Sequence, residues 1–321
     1  MIVPLIFVAV VGGANMDIVA QSHGEGLKGD STPGQIQCSP GGVARNVAEN
    51  LARLGLPTHL ISGVGDDEFG RSLRSATQAA GVDTALIRVV PDARTATYLS
   101  VHGADGEMLM AVNDMAILDA FTPEWLQPHA SLIRDAAGVV LDCNLTASSL
   151  AWLIAQARVG EVPVMVDGVS VQKCQRLRHL LAGIHTLKLN HLEAQALTGL
   201  PTNSTQEVQA AALALHRLGV HHVVVSRGAL GVCWCDEGGV QGALASAAMS
   251  VVNSSGAGDA LLAGLVHARM AGKPLAEAVP FAMACAELTL GSPFANHPNL
   301  SVSAVQARQS ISICHTEFTP S

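Results

Sequence analysis

The sequence predicts an α/β protein with a mostly parallel central sheet covered by helices on both faces, together with a small β-sheet lid. Three observations predict it. Beyond Thr122, short apolar runs at Gly138–Asp142, Val162–Asp167, Thr186–Leu189 and Val223–Ser226 alternate with helical stretches, the cadence of a parallel sheet buried on both sides. Between Ala85 and Val112 the pattern changes to period-two alternation around the turn Gly103-Ala104-Asp105-Gly106, which suggests antiparallel strands. The polar, Gly-rich stretch Gln21–Pro40 has little material for a core and reads as an excursion from the main sheet, able to join 85–112 in a second sheet.

Taken in order, Met1–Val11 reads as a buried first strand. It lacks a basic leader and an A-x-A site, so it does not read as a secretion signal. Gly42–Gly55 reads as a helix with Val43, Val47, Leu51 and Leu54 on one face and Asn46 and Asn50 pointing elsewhere. Thr58–Val64 follows as a strand and Asp67–Ala80 as a helix. The segment after Leu300 reads as an amphipathic helix with a frayed end.

Composition narrows the function classes. In 321 residues, 49% are hydrophobic and 14% charged, with 31 Gly, which excludes disorder and leaves ample material for one large domain. A formal charge of −8 without a basic run argues against nucleic acid as partner. No stretch reaches the roughly 18–20 apolar residues of a membrane span, so no membrane partner is expected. Seven scattered cysteines without C-x-x-C spacing suggest neither disulfides nor zinc and fit a reducing cytoplasm.

The chemistry-bearing motifs begin with Val252-Asn253-Ser254-Ser255-Gly256-Ala257-Gly258-Asp259, which opens a helix. Small residues at Gly256, Ala257 and Gly258 let backbone N–H groups approach an anion at the helix N-terminus. Asp259 stands where a base can take a proton from a hydroxyl attacking a phosphate held there; an acidic residue that merely stabilises a helix start is the equally good alternative. Ser39-Pro40-Gly41-Gly42 leads into the helix bearing Arg45 and Asn46, where paired glycines permit close approach to a ligand and Asn46 offers a donor and an acceptor for ribose hydroxyls. An ordinary helix-leading turn explains the same residues. Asn15-x-Asp17, at the end of the first strand, lies where ligands of open α/β sheets bind, or forms an Asx turn.

Asn190 and Glu193, three apart at a helix start, can face one side and hold a water-bound Mg²⁺, or form a capping box, or both. Ser226-Arg227-Gly228-Ala229-Leu230-Gly231 lies between two strands and can admit a nucleotide or be a plain hairpin. There is no G-x-x-x-x-G-K-[ST] phosphate loop and no G-x-S-x-G elbow. Cys233-Trp234-Cys235 and His221-His222 read as structural.

Together and in order, these stretches resemble the ribokinase-like carbohydrate kinases from Val8 to about Leu300, on the specific pair Gly41-Gly42-x-x-x-Asn46 and Gly256-Ala257-Gly258-Asp259. The resemblance implies a single ribokinase-like kinase domain over residues 1–321, with the lid formed by about 18–40 and 92–115. It implies ATP as phosphoryl donor and Mg²⁺, and leaves open a monovalent cation such as K⁺. By the same resemblance Asn15, Asp17, Gly41, Gly42 and Asn46 hold sugar hydroxyls, Asn190 and Glu193 organise Mg²⁺ and phosphates, and Ser226, Gly228, Gly231 and Ser255 line the nucleotide. Lids of this family often pair into dimers through their β-strands, so the resemblance leaves a homodimer through the lid open.

Within the family, the segments Thr95–Ser100, Gly106–Leu109, Asn113–Met115, Asp142–Asn144 and Val166–Ser170 with Lys173-Cys174 are similar to those of pseudouridine kinases. That likeness implies transfer to the 5′-hydroxyl of the C-nucleoside, with Lys173, Ser31 and Thr95 near its uracil or ribose. Kinases of ribose, a ketohexose or adenosine stay open as alternatives, as does a catalytically silent ligand-binding regulator. The chain departs from the family pattern at Gly168 and Leu189, where Pro is usual, at Ser255, where Thr is common, and at Arg227. None of these removes a catalytic group, and loop rigidity is what they are expected to alter.

Overall fold

The computed structural model describes residues 6–25, 29–247 and 249–316. The chain opens with β1 (Val8–Val11), whose alternate residues enter different cores: Val8 and Val10 pack with one cluster, Ala9 and Val11 with another. A strand buried on both faces is the mark of a sheet sandwiched by helices. Among the described residues of the expected Met1–Val11 strand, Val8–Val11 are β, and Met1–Leu5 lie outside the described residues.

The chain then leaves the main sheet for β2 (Asn15–Ser22) and β3 (Gly34–Gly41), returns through helix α1 (Val43–Arg53) to β4 (Thr58–Val64), and continues through α2 (Glu68–Ala79) to β5 (Ile87–Val89). A second excursion forms β6 (Thr97–His102) and β7 (Met108–Asp114). Two short helices, α3 (Pro123–Leu126) and α4 (Ala130–Asp135), lead to β8 (Gly138–Asp142). Then come α5 (Ala147–Val159), β9 (Val164–Asp167), α6 (Val171–Cys174), β10 (Thr186–Asn190), α7 (His191–Thr198), α8 (Thr205–Arg217) and β11 (His222–Ser226). The hairpin β12 (Val232–Cys235) and β13 (Gln241–Leu244) precedes α9 (Ala257–Met270), α10 (Leu275–Leu290) and α11 (Val302–Thr316).

The main sheet runs β13-β12-β11-β10-β9-β8-β1-β4-β5, parallel except for the β11-β12-β13 edge. The second sheet runs β3-β2-β6-β7, with β2 and β6 parallel and the outer pairs antiparallel. The chain builds outward from β1 first toward β4 and β5, then the other way through β8. The strand order therefore reverses at β1, and the crevice beyond the carboxyl ends of β1 and β8 is the switch point where open α/β sheets take ligands.

Two expectations are corrected. Asn15 and Asp17 do not end the first strand; they open β2 of the second sheet, because Gly12, Gly13 and Ala14 carry the chain out of the main sheet. Asn46 and Asn50 do not point away from the core: both are buried, because α1 is covered by the sheet on one side and by α9 on the other. The decoys behave structurally, with Cys233 and Cys235 in the core and His222 buried, its imidazole pushed down to about 4 chiefly by burial.

Candidate functional site

Polar residues stand at the carboxyl ends of successive strands: Asp142 on β8, Asp167 on β9, Asn190 on β10 and Ser226 on β11. Register places Asp142 beside Asp167, Lys188 beside Asp167, and Asn190 beside Ser226. Parallel strands all end on the same side, so a single residue choice at each strand end builds one polar row across the switch point.

Asp142 organises the left of that row. Its fully buried carboxylate accepts hydrogen bonds from Gly13 N and Ala44 N on Oδ2 and from Asn144 N on Oδ1, all at 2.9 Å. Burial pushes its carboxyl above the ordinary value while these N–H groups pull the other way. One side chain thereby joins the exit of β1, the first turn of α1 and the loop after β8. The exit of β1 must be glycine, since a Cβ on Gly12 would lie 2.6 Å from the Asp142 carboxylate. Asn144 in turn accepts from Lys173 Nζ at 2.6 Å, and burial lowers the affinity of that amine for its proton.

The segment preceding α1 is equally constrained. Gly42 caps the helix at φ 100, a region that favours glycine, and a Cβ there would meet Gly13 O at 2.6 Å. A Cβ on Gly41 would fall 2.1 Å from Asp17 Oδ2. Asp17 accepts from Asn15 Nδ2 at 2.6 Å, and burial raises its carboxyl above the ordinary value. Asn15, Asp17, Gly41, Gly42 and Asn46 are thus brought together.

Asn46 closes the distance to the other end of the chain, its Nδ2 lying 2.8 Å from Asp259 Oδ2. Asp259 is in the first turn of α9, behind Gly256 at φ 77, and the residue is 8% exposed. Burial, reinforced by Asp167, pushes its pKa up to about 8, against the opposing pull of Lys188 and the Asn46 hydrogen bond. The turn is packed too tightly for larger residues: a Cβ on Gly256 would meet Ala295 O, and one on Gly258 would stand 2.6 Å from Lys188 Nζ. Lys188, buried on β10, is ion-paired with Asp167 at 2.9 Å, and that pairing and its other acidic neighbours raise its pKa against the desolvation that lowers it.

Asn190 and Glu193 form a full capping box. Asn190 Oδ1 accepts from Glu193 N at 2.9 Å, and Glu193 Oε2 accepts from Asn190 N at 2.9 Å. Glu193 Oε1 also accepts from Asn190 Nδ2 at 2.7 Å, and burial raises the carboxyl. Among the described residues no three His, Cys, Asp or Glu converge to ligate a metal. An Mg²⁺ ion therefore fits here only as one carried by phosphates and reached from this pair through water. Ser226, Gly228 (φ 58) and Gly231 (φ 85) form the turn between β11 and β12, and Ser255 N donates to Asn253 Oδ1 at the approach to α9.

Two expected residues, Thr95 and Ser31, are placed differently from the rest. Thr95 is buried with its hydroxyl engaged, donating to Asp67 Oδ1 at 2.6 Å and accepting from Gly65 N at 3.0 Å, which ties the second excursion to the start of α2. Ser31 is exposed in the loop between β2 and β3, its N–H bonded to Asp30. Arg227, which follows Ser226 in the turn after β11, donates to Thr205 Oγ1 at 2.7 Å. Gly168 is no simple loosening of a loop: a Cβ there would lie 2.5 Å from Leu189 Cδ2 and 2.8 Å from Glu193 Oε2.

Sequence reasoning missed Lys188 as a site residue and gave Asp142 and Asp167 no role. The signal was present as an acidic residue closing each apolar run and a lysine inside another.

With this geometry in place, the comparisons are direct. Residues 5–301 match the model of the pfkB family of carbohydrate kinases, and the chain belongs to that family. It is 42% identical over 299 residues to the pseudouridine kinase of Escherichia coli (strain K12), covering 93% of this chain and 95% of that protein. It is 38% identical over 295 residues to an uncharacterized sugar kinase, YeiI, of the same strain, covering 92% and 81%. The structure of Arabidopsis thaliana ribokinase complexed with ribose and ATP superposes with a TM-score of 0.85 at 25% identity, over 94% of this chain and 98% of that one. The chain is a kinase that phosphorylates an alcohol acceptor, on a ribokinase-like fold.

Proposed function

We propose that the protein transfers the γ-phosphoryl group of ATP to the 5′-hydroxyl of pseudouridine, giving pseudouridine 5′-phosphate and ADP, with Asp259 as general base. The observation that carries the reaction type is the buried Asp259 carboxyl beside the Gly256–Gly258 turn and hydrogen-bonded to Asn46. The choice of nucleoside rests on the 42% identity to a pseudouridine kinase.

In this reading Asn15, Asp17 and Asn46 hold the ribose, and Lys173 with Asn144 meets the uracil. The turn Ser226–Gly231 lines the nucleotide. The second sheet covers the acceptor and excludes water, which suppresses hydrolysis of ATP. Asp259 takes the proton as the 5′-oxygen forms its bond to phosphorus and the bond from phosphorus to the β-phosphate oxygen breaks. The amides of Gly256–Gly258 face the charge that develops on the transferring group. Mg²⁺, reached through water from Asn190 and Glu193, supplies further neutralisation of the phosphate charge when bound. The outward strands β3 and β7, which expose Ile36, Met108, Leu109 and Met110, offer the surface through which two copies would pair.

A coupled ADP-release assay with Mg·ATP, comparing pseudouridine with uridine, ribose, fructose and adenosine, tests the proposal. A marked preference for pseudouridine supports it. Preference for a free sugar or another nucleoside overturns the substrate while leaving the chemistry, and silence on all five overturns both.

A further inference from the structure

Asn46 meets Asp259 through a carboxamide that can present either its NH2 or its oxygen. We propose that Arg45 is a positioning residue, whose guanidinium fixes that carboxamide with the NH2 group turned toward Asp259, so that the base always faces a donor. The inference rests on the reading of Asp259 as base.

The geometry leaves the amide no second choice. Arg45 NH1 donates to Asn46 Oδ1 at 3.1 Å, and a guanidinium has only donors, so the oxygen must face it. The opposite edge, Nδ2, is then 2.8 Å from Asp259 Oδ2. A second clamp uses Asn296, some 250 positions away: its Oδ1 accepts from Arg45 NH1 at 2.9 Å and its Nδ2 donates to Asn46 O at 2.9 Å. Arg45 is itself buried and anchored by Glu49, by Thr77 Oγ1 at 3.2 Å and by Pro40 O at 3.4 Å. Burial lowers the pKa of Arg45, with Arg53 acting in the same direction and Glu49 and Asp17 opposing.

Orientation matters because the two faces of the amide favour opposite protonation states. An NH2 group stabilises the carboxylate, whereas an amide oxygen accepts a hydrogen bond from the neutral acid and stabilises that instead. The charges facing Asp259 from the sheet are Asp142 on β8, Asp167 on β9 and Lys188 on β10. A substitution at Arg45 leaves all three in place.

The test is the pH dependence of kcat in Arg45→Met and in Arg45→Met/Glu49→Gln, the latter removing the carboxylate that is ion-paired with Arg45 if the single variant folds poorly. The acid limb should move up by about one pH unit. That is roughly a tenfold loss near neutral pH which closes as the pH rises. In an Asn46→Ala background the same substitution should move it no further. The pH dependence of the stability difference between each background and its Asp259→Asn derivative reads the same carboxyl without requiring turnover. A limb that stays in place in both variants, with Asp259→Asn inactive, overturns the inference alone. An active Asp259→Asn sinks both it and the base assignment.

Discussion

Replacing Asp259 by Asn should make the protein more stable, and increasingly so as the pH rises. The Asp259 carboxyl is raised from 3.8 to about 8 in the folded protein, mainly by burial. A carboxyl that is raised on folding contributes stability fully below pH 3.8 and loses it progressively until the pH passes about 8. The loss runs at about 1.4 kcal/mol per pH unit, so between pH 5 and pH 7 wild type should fall about 3 kcal/mol behind Asp259→Asn. Across the whole interval the limit is about 6 kcal/mol. Asn preserves the shape and can still accept from Asn46 Nδ2, so the comparison isolates the charge. Urea unfolding of both proteins at several pH values from 5 to 9 measures the difference, and turnover of Asp259→Asn should drop by about 10²–10⁴ at the same time. A stability difference that is flat over this range would refute the reasoning, because it would mean that the carboxyl is already ionised at its ordinary value and carries no strain of desolvation.

Three other outcomes follow from the same geometry. Lys188→Met leaves Asp167 buried without its partner and should cost about 3–5 kcal/mol in urea unfolding, most of which Lys188→Met/Asp167→Asn should restore. Asp142→Asn removes the charge and sets an amide NH2 against one of the three N–H donors, that of Asn144 when the oxygen faces Gly13 and Ala44; we expect a loss of about 2–4 kcal/mol with a raised KM for the nucleoside, read by unfolding and steady-state kinetics. Gly258→Ala drives a methyl group against Lys188 Nζ at the transfer site and should lower kcat about a hundredfold while circular dichroism shows an intact fold.

Much of this arrangement was legible before any coordinates. The strand cadence after Thr122 located β8 to β11 within two residues at each end, because buried parallel strands are nearly pure apolar runs. The capping box at Asn190 and Glu193 is set by three-residue spacing, a purely local relation, and the pair does cap. What stayed hidden depends on pairing at long range. Lys188 reads as an ordinary strand residue until β9 sets Asp167 beside it. Asn296 carries no local signature at all and acquires its role only where the chain after α10 returns to α1. The placement of Asn15 and Asp17 on the second sheet was misjudged for a similar reason: the turn Gly12–Ala14 looks like the end of a strand, and only the pairing of β2 with β3 and β6 shows that a new sheet begins there.

The contact between Gly168 and Leu189 carries a consequence for how this sequence can change. The leucine side chain fills part of the volume that a Cβ at position 168 would need, so the residues at these two positions constrain each other. Enlarging position 168 alone drives a Cβ against both Leu189 and the Glu193 carboxylate of the capping box, whereas trimming Leu189 alone opens a void in the core. Trimming Leu189 removes the closer of the two clashes, so the positions should be non-additive: enlarging position 168 costs less once Leu189 is shortened, with the 2.8 Å approach to Glu193 Oε2 left as the remaining cost.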